Sequence, residues 1–161
     1  MGIEYERSFK VASVKPYIEY CEENGFVLEE IVEQNRVVFE NKFSNNIIAR
    51  ITTETKDGVA VTVFDCKNVG KRESNLKVSS ESIPLVVTNE NKEKIFSILE
   101  TLDFFEAANN LRKRYVYSKG NVKFEIDEYI RPQTNVIAIE GEQNLVEDIY
   151  AQLCILENCV E

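Results

Sequence analysis

The sequence contains no histidine and no tryptophan, one methionine and only three prolines among 161 residues. Without histidine there is no Ser-His-Asp triad, no histidine general base and no Cys-His metal finger. The four cysteines, Cys21, Cys66, Cys154 and Cys159, form no CxxC pair, which removes zinc-ribbon and thioredoxin-like readings and leaves reduced thiols as the expectation. No apolar run approaches the roughly 20 residues that a membrane helix requires. The start MGIEYERS lacks a basic segment followed by an apolar one, so no secretory signal, no membrane partner and a cytoplasmic location are expected. Any chemistry must therefore run on carboxylates, lysine, arginine, tyrosine and hard metal ions.

What is present is charge, unevenly placed. The net charge is −9, against a nucleic-acid partner, since phosphate backbones call for surplus Lys and Arg. Residues 1–40 hold nine acids and four bases, and residues 140–161 six acids and no base; the middle, 41–139, holds fifteen bases and thirteen acids. If the termini return to one sheet, terminal glutamates face central arginines and lysines. A plain acidic surface, kept for solubility, accounts for the same surplus.

Residues 3–11 alternate as a strand, with Glu4, Glu6, Ser8 and Lys10 on one side and Ile3, Tyr5, Phe9 and Val11 on the other; Arg7 interrupts the second set. Ser13, Pro16 and Gly25 bracket a short helix with Val14, Tyr17, Ile18 and Cys21 as its stripe. Residues 26–41 read as a long strand or hairpin, and 46–54 with 59–67 as a hairpin turned at Lys56, Asp57 and Gly58. A polar stretch, 68–88, reads as a strand, a connection and an edge strand broken by Pro84. The spacing of Ile95, Ile98, Leu99, Leu102 and Phe105 predicts a helix over 90–106, capped by Thr88 or Asn89. Strands follow at 111–118, 122–130 and 135–140, then a helix over 144–157 that buries Leu145, Ile149, Leu153 and Leu156.

Segments 45–65 and 109–127 echo each other. Each opens on two asparagines, carries arginine on its first strand, turns at glycine and closes on Asp65 or Asp127. Two such hairpins are expected to form opposite walls of one structure. Successive strand side chains alternate faces, so Arg50, Lys67, Arg112, Arg114, Lys123, Glu125, Asp127 and Glu140 stand opposite apolar faces. The charged face then looks either to water or into an enclosed cavity. An enclosed one would hold a polyanion, with carboxylates binding Mg2+ or Mn2+, hard ions that prefer oxygen and bridge to phosphates.

The order of EYERSF at the start, IARI with Arg50, the strand ending in Lys67, Arg72, ILETLDF, RKRY, FEIDEY and IAIEGE resembles the CYTH family, the triphosphate tunnel metalloenzymes, over almost the whole length. These include class IV adenylyl cyclases, thiamine triphosphatases and inorganic tripolyphosphatases. The resemblance implies a single domain over 1–161, in the α+β class: a closed, antiparallel, eight-stranded β-barrel or tunnel flanked by helices. It implies a divalent-metal site from Glu4 and Glu6, completed by Glu140, with Asp127 and Glu125 serving the metal or holding the arginines. Triphosphate oxygens would fall to Arg50, Lys67, Arg72, Arg112 and Arg114. Glu4, Glu6 and Asp127 would be the catalytic carboxylates.

Three charges of the family pattern are missing. Ser8 stands for a lysine, Thr52 for the second arginine of Arg-x-Arg, and Ala138 for the first glutamate of Glu-x-Glu. Lys10, with Lys113 or Lys123 behind it, is the candidate to replace the lost lysine. The expected activity is metal-dependent hydrolysis of tripolyphosphate, ATP or thiamine triphosphate. Cyclisation of ATP, a catalytically weakened binder of nucleotide or polyphosphate, and a plain interaction domain with solvated charges are the alternatives. Monomer and homodimer stay open.

Overall fold

The computed structural model describes residues 2–73, 76–130 and 134–157, the side chains of residues 2–4, 71–73, 77 and 154–157 excepted. Its elements run β1 (Gly2–Val11), α1 (Lys15–Glu23), β2 (Val27–Asn41), β3 (Ile47–Lys56), β4 (Val59–Glu73), β5 (Leu76–Glu81), β6 (Leu85–Val86), α2 (Lys92–Thr101), β7 (Phe104–Lys119), β8 (Val122–Tyr129), β9 (Asn135–Glu140) and α3 (Gln143–Glu157). Strand order is β3-β2-β7-β8-β9-β1-β5-β4, and a further pairing of β3 with β4 closes the ring. Eight antiparallel strands thus form a barrel, with the two-residue β6 laid against β4 outside the ring. Closure leaves no bare edge among the eight.

Apolar side chains face outward, under the helices. Phe124, Ile126, Ile137 and Ile139 are fully buried beneath α1 and α3, where Tyr17, Cys21, Val146 and Leu153 meet them. A second, smaller cluster seats Ile95 and Leu99 of α2 on Phe39 and Ala49. The strand period sends the alternate residues of the same strands inward. Cys21 and Cys66 are free thiols, and burial pushes the Cys21 thiol up to about 12; the side chains of Cys154 and Cys159 lie outside the described residues. No described helix is long and apolar enough to cross a membrane.

Several boundaries differ from the sequence expectation. Helix α2 ends at Thr101 rather than running to residue 106, because Asp103 takes a left-handed φ of 61° and turns the chain into β7, which starts at Phe104 instead of residue 111. Leu102 and Phe105, placed in the helix stripe, fall beyond its end and are exposed, and Ile98, within the helix, is exposed as well. At its start Asn91 occupies the N-cap, and Thr88 pairs with it reciprocally: the Thr88 amide donates to Asn91 Oδ1 at 2.7 Å and the Asn91 amide to Thr88 Oγ1 at 3.2 Å. In α3 Ile149 and Leu153 pack inward as expected, but at its start Val146 is buried and Leu145 exposed; the side chain of Leu156 lies outside the described residues. The strand over 26–41 is one continuous β2, long enough to pair with both β3 and β7.

The two echo hairpins are β3 with β4 and β7 with β8. They are not opposite walls: on one side a single strand, β2, separates them, and on the other β9, β1 and β5. Both carry the same device. Arg50 is the register partner of Asp65, and Arg114 of Asp127, each pair on the two arms of its hairpin.

Candidate active site

The inward residues enclose a cavity of about 600 Å3. Among the described residues its lining holds six bases, Arg36, Arg50, Lys67, Arg112, Arg114 and Lys123, against eight acids, including Glu6, Asp65, Glu81, Glu125, Asp127 and Glu140. Acids therefore outnumber bases where a polyanion would sit. A bare triphosphate would meet a field of its own sign, so any that enters needs accompanying cations.

The arginines are held in place by carboxylates on neighbouring strands. Arg50 donates from Nε to Asp65 Oδ1 at 2.9 Å and from its terminal nitrogen to Asp65 Oδ2 at 2.5 Å and Glu81 Oε1 at 3.0 Å. Lys67 Nζ lies 3.4 Å from the same Glu81 oxygen. Burial acts to raise the Glu81 carboxyl, but Arg50 and Lys67 hold it below the usual carboxylate range. Arg114 donates to Asp127 at 2.7 and 2.9 Å and to Glu125 at 2.7 Å. Burial opposes ionisation of Glu125 as well, and Arg114 beside it more than offsets this, keeping the carboxyl well below its ordinary value. Arg112 donates from Nε to Gln34 Oε1 at 2.7 Å, with a second contact from its terminal nitrogen, and to the Tyr129 hydroxyl at 2.9 Å; Asp127 lies 3.5 Å away. Such forked contacts fix guanidinium planes before any ligand arrives.

Of the residues singled out from sequence, Glu6, Arg50, Lys67, Arg112, Arg114, Glu125, Asp127 and Glu140 all line this one cavity. Asp127 is engaged with Arg112 and Arg114, the arginine-holding role of the two considered for it. Glu4 and Arg72 lie on β1 and β4, and their side chains are outside the described residues. Lys10 is exposed and not part of the lining, which corrects its candidacy as the replacement lysine. Its register partner Val136 lines the cavity, but the Lys10 side chain itself is exposed. Lys113 points away, its Nζ 5.2 Å from the Tyr115 ring, while Lys123 does reach the cavity, 3.4 Å from Glu140.

Sequence reasoning missed Arg36, Gln34 and Glu81. Gln34 is fully buried and seats Arg112; its signal was an amide two residues from an arginine on the inward face of a long strand. The missing charges also prove to be spatially related. Ser8 and Ala138, the positions where the family pattern has a lysine and a glutamate, are direct register partners across β1 and β9. Thr52, in turn, is the register partner of Arg36.

Glu6 is buried directly across from Glu140, and Glu125 and Glu140 are within hydrogen-bonding reach of each other. Two carboxyls that close need a proton or a cation beside them, and Lys123, 3.4 Å from Glu140 and 3.9 Å from Glu125, supplies one positive charge there. An oxygen-only donor set of this kind suits Mg2+ or Mn2+. Among the described residues no three acids converge into a finished cage, and Mg2+ does not demand one, being commonly held by one or two carboxylates plus substrate phosphates.

Neither a protein-family model nor a curated protein matches the chain. Solved structures do. A protein from Pyrococcus horikoshii OT3 superposes with a TM-score of 0.74 at 19% identity, covering 98% of this chain and 92% of its own. A candidate adenylyl cyclase from Hippeastrum, described as revealing a dominant triphosphatase activity, gives 0.65 at 12% identity, covering 96% and 88%. The Mediator head module of Schizosaccharomyces pombe contains a chain at 0.65 and 10% identity, covering 96% and 94%. The chain has the CYTH-like fold: a closed, eight-stranded antiparallel barrel with flanking helices. That fold occurs in a protein with triphosphatase activity in one neighbour and in the Mediator head module in another, so function must be argued from the cavity.

Proposed function

We propose that this protein is a metal-dependent hydrolase of a triphosphate held inside its barrel. The observation that carries this reading is the enclosed, doubly charged lining, where Arg50, Arg112 and Arg114 are pre-oriented among buried carboxylates. Glu6 and Glu140, with Glu4 beside them on β1, would hold Mg2+ or Mn2+, which supplies charge neutralisation for the polyphosphate and for the leaving phosphate. The arginines grip and align the phosphate oxygens. Asp65, Glu81, Glu125 and Asp127 fix those arginines in the planes the transition state needs, which is electrostatic preorganisation rather than proton transfer. On this reading Glu6 would also orient the attacking water. Histidine has no part to play.

Hydrolysis is favoured over cyclisation because the lining has no free shelf for adenine. Tyr129 is its one aromatic residue among those described, and the Arg112 guanidinium lies over that ring at 5.7 Å. The same shortage disfavours thiamine triphosphate, whose cationic ring calls for an aromatic platform. Inorganic tripolyphosphate is therefore the first substrate to try. A second reading, a polyphosphate binder without turnover, is favoured by one observation: Asp127 is wholly occupied with arginines. The free thiols at Cys21 and Cys66 fit a reducing, cytoplasmic setting.

The test is phosphate release from tripolyphosphate, ATP and thiamine triphosphate with each ion. Glu6→Gln and Glu140→Gln should each lower metal-dependent turnover of tripolyphosphate by about 100-fold or more, about 2.7 kcal/mol of barrier, with the melting temperature retained. Turnover that survives both substitutions contradicts the site.

A further inference from the structure

Strand β2 lies between the two echo hairpins, and one inward residue on it is unlike the other arginines. Arg36 donates from Nε to Thr52 Oγ1 at 3.0 Å, and that hydroxyl is its side-chain partner. Each neighbouring arginine has at least one carboxylate within 4 Å: Asp65 and Glu81 for Arg50, Asp127 for Arg112, Glu125 and Asp127 for Arg114. Arg36 has none among the described residues. Its register neighbours are Thr52 on β3 and Asn110 on β7, neither of them charged.

The placement is regular. Along β2, Val32 pairs with Arg114, Gln34 with Arg112, Arg36 stands for itself and Val38 pairs with Arg50. Four guanidinium levels thus follow one another at two-residue steps, each about 6.8 Å of strand. Burial and the charges of Arg114, Arg50 and Arg112 pull Arg36 down to about 9, so it stays protonated at neutral pH but at a cost to the folded state. A half-buried cation among cations, with the charge of Glu125 acting the other way but no carboxylate within 4 Å among the described residues, is poorly placed for stability and well placed for a ligand that brings negative charge.

We propose that Arg36 is a phosphate-gripping residue of the cavity, seated by Thr52 and standing in for the cation absent at position 52. The assignment rests on the triphosphate reading. In it the positive charge has moved across one register pair, from β3 to β2, and still faces the cavity. Thr52 keeps a role as the hydrogen-bond acceptor that turns the guanidinium inward.

The test uses the full chain, sodium tripolyphosphate with Mn2+ as the probe, and the variants Arg36→Gln and Arg36→Lys. Without tripolyphosphate, Arg36→Gln should melt no lower than the unsubstituted protein, because removing the charge relieves repulsion among the arginines. With it, affinity should fall by about tenfold or more, and Arg36→Lys should restore part of the loss, since it returns the charge without the fork. A purely structural Arg36 gives the opposite pattern: a lower melting temperature in plain buffer and tripolyphosphate affinity unchanged within about twofold, which overturns the assignment alone. If the unsubstituted protein itself fails to bind tripolyphosphate, the triphosphate reading falls and this assignment with it.

Discussion

At the scale of single residues, the departures from the family pattern are not scattered damage. Ser8 and Ala138 face each other across β1 and β9, and Thr52 faces Arg36 across β3 and β2. One pair holds neither of the two opposite charges of the family pattern, and the other sets the uncharged Thr52 against an arginine on the neighbouring strand. Neither change leaves a carboxylate or cation stranded opposite a former partner, which a buried cavity would punish by several kcal/mol if one ion were removed alone. This makes a double-mutant cycle informative. Ser8→Lys and Ala138→Glu should each destabilise when made singly, and together they should recover about 0.5–1 kcal/mol through their cross-strand contact, measured by urea denaturation. Additive effects would mean that the two side chains do not meet. The pairing could not be read from the chain itself, because 130 positions of sequence separate Ser8 from Ala138 and only the register brings them together.

At the scale of elements, what was legible follows from which signal each element depends on. The alternation on 122–130 and 135–140 identified β8 and β9, since their outward sets, Phe124 and Ile126 with Ile137 and Ile139, are fully buried. Helix α2 was overdrawn because an apolar run continued past its end, and the left-handed turn at Asp103 carries no glycine to announce it. The one-residue error in the α3 stripe arose because Leu145 and Val146 are equally apolar, and the side the helix docks against decides between them. Arg7 looked like a fault in the outward face of β1. It is a clamp: it donates to Glu147 of α3 at 2.9 and 3.0 Å, and its guanidinium lies 4.9 Å from the Tyr150 ring. That hydrogen bond, ahead of the adverse effect of burial, holds the Glu147 carboxyl below its ordinary range. Arg7→Ala should therefore loosen α3 and lower stability by about 1–2 kcal/mol, visible in denaturation and in faster amide exchange along α3. An unchanged exchange pattern would show that apolar packing alone docks the helix.

At the scale of the whole molecule, the ring closure of β3 on β4 is what turns charged strand faces into a site. The same faces on an open sheet would be washed by water, and their ion pairs would be worth little. Period-two charge patterning exposed the two faces but left the choice between solvent and lumen open; the resemblance to the tunnel family pointed to the barrel, and the coordinates contain it. The excess of acids over bases among the described lining residues was invisible to sequence, because Glu30, Glu54 and Glu81 enter from strands where no motif marked them. From that excess comes the central claim, that polyphosphate and divalent metal enter this barrel together. The most direct measurement is a crystal grown with tripolyphosphate and Mn2+, located by anomalous scattering. The account predicts a manganese peak beside Glu6 and Glu140, with phosphate density against Arg50, Arg112 and Arg114. Manganese and phosphate found only on the outer face of the barrel, with the lumen holding water alone, would contradict it.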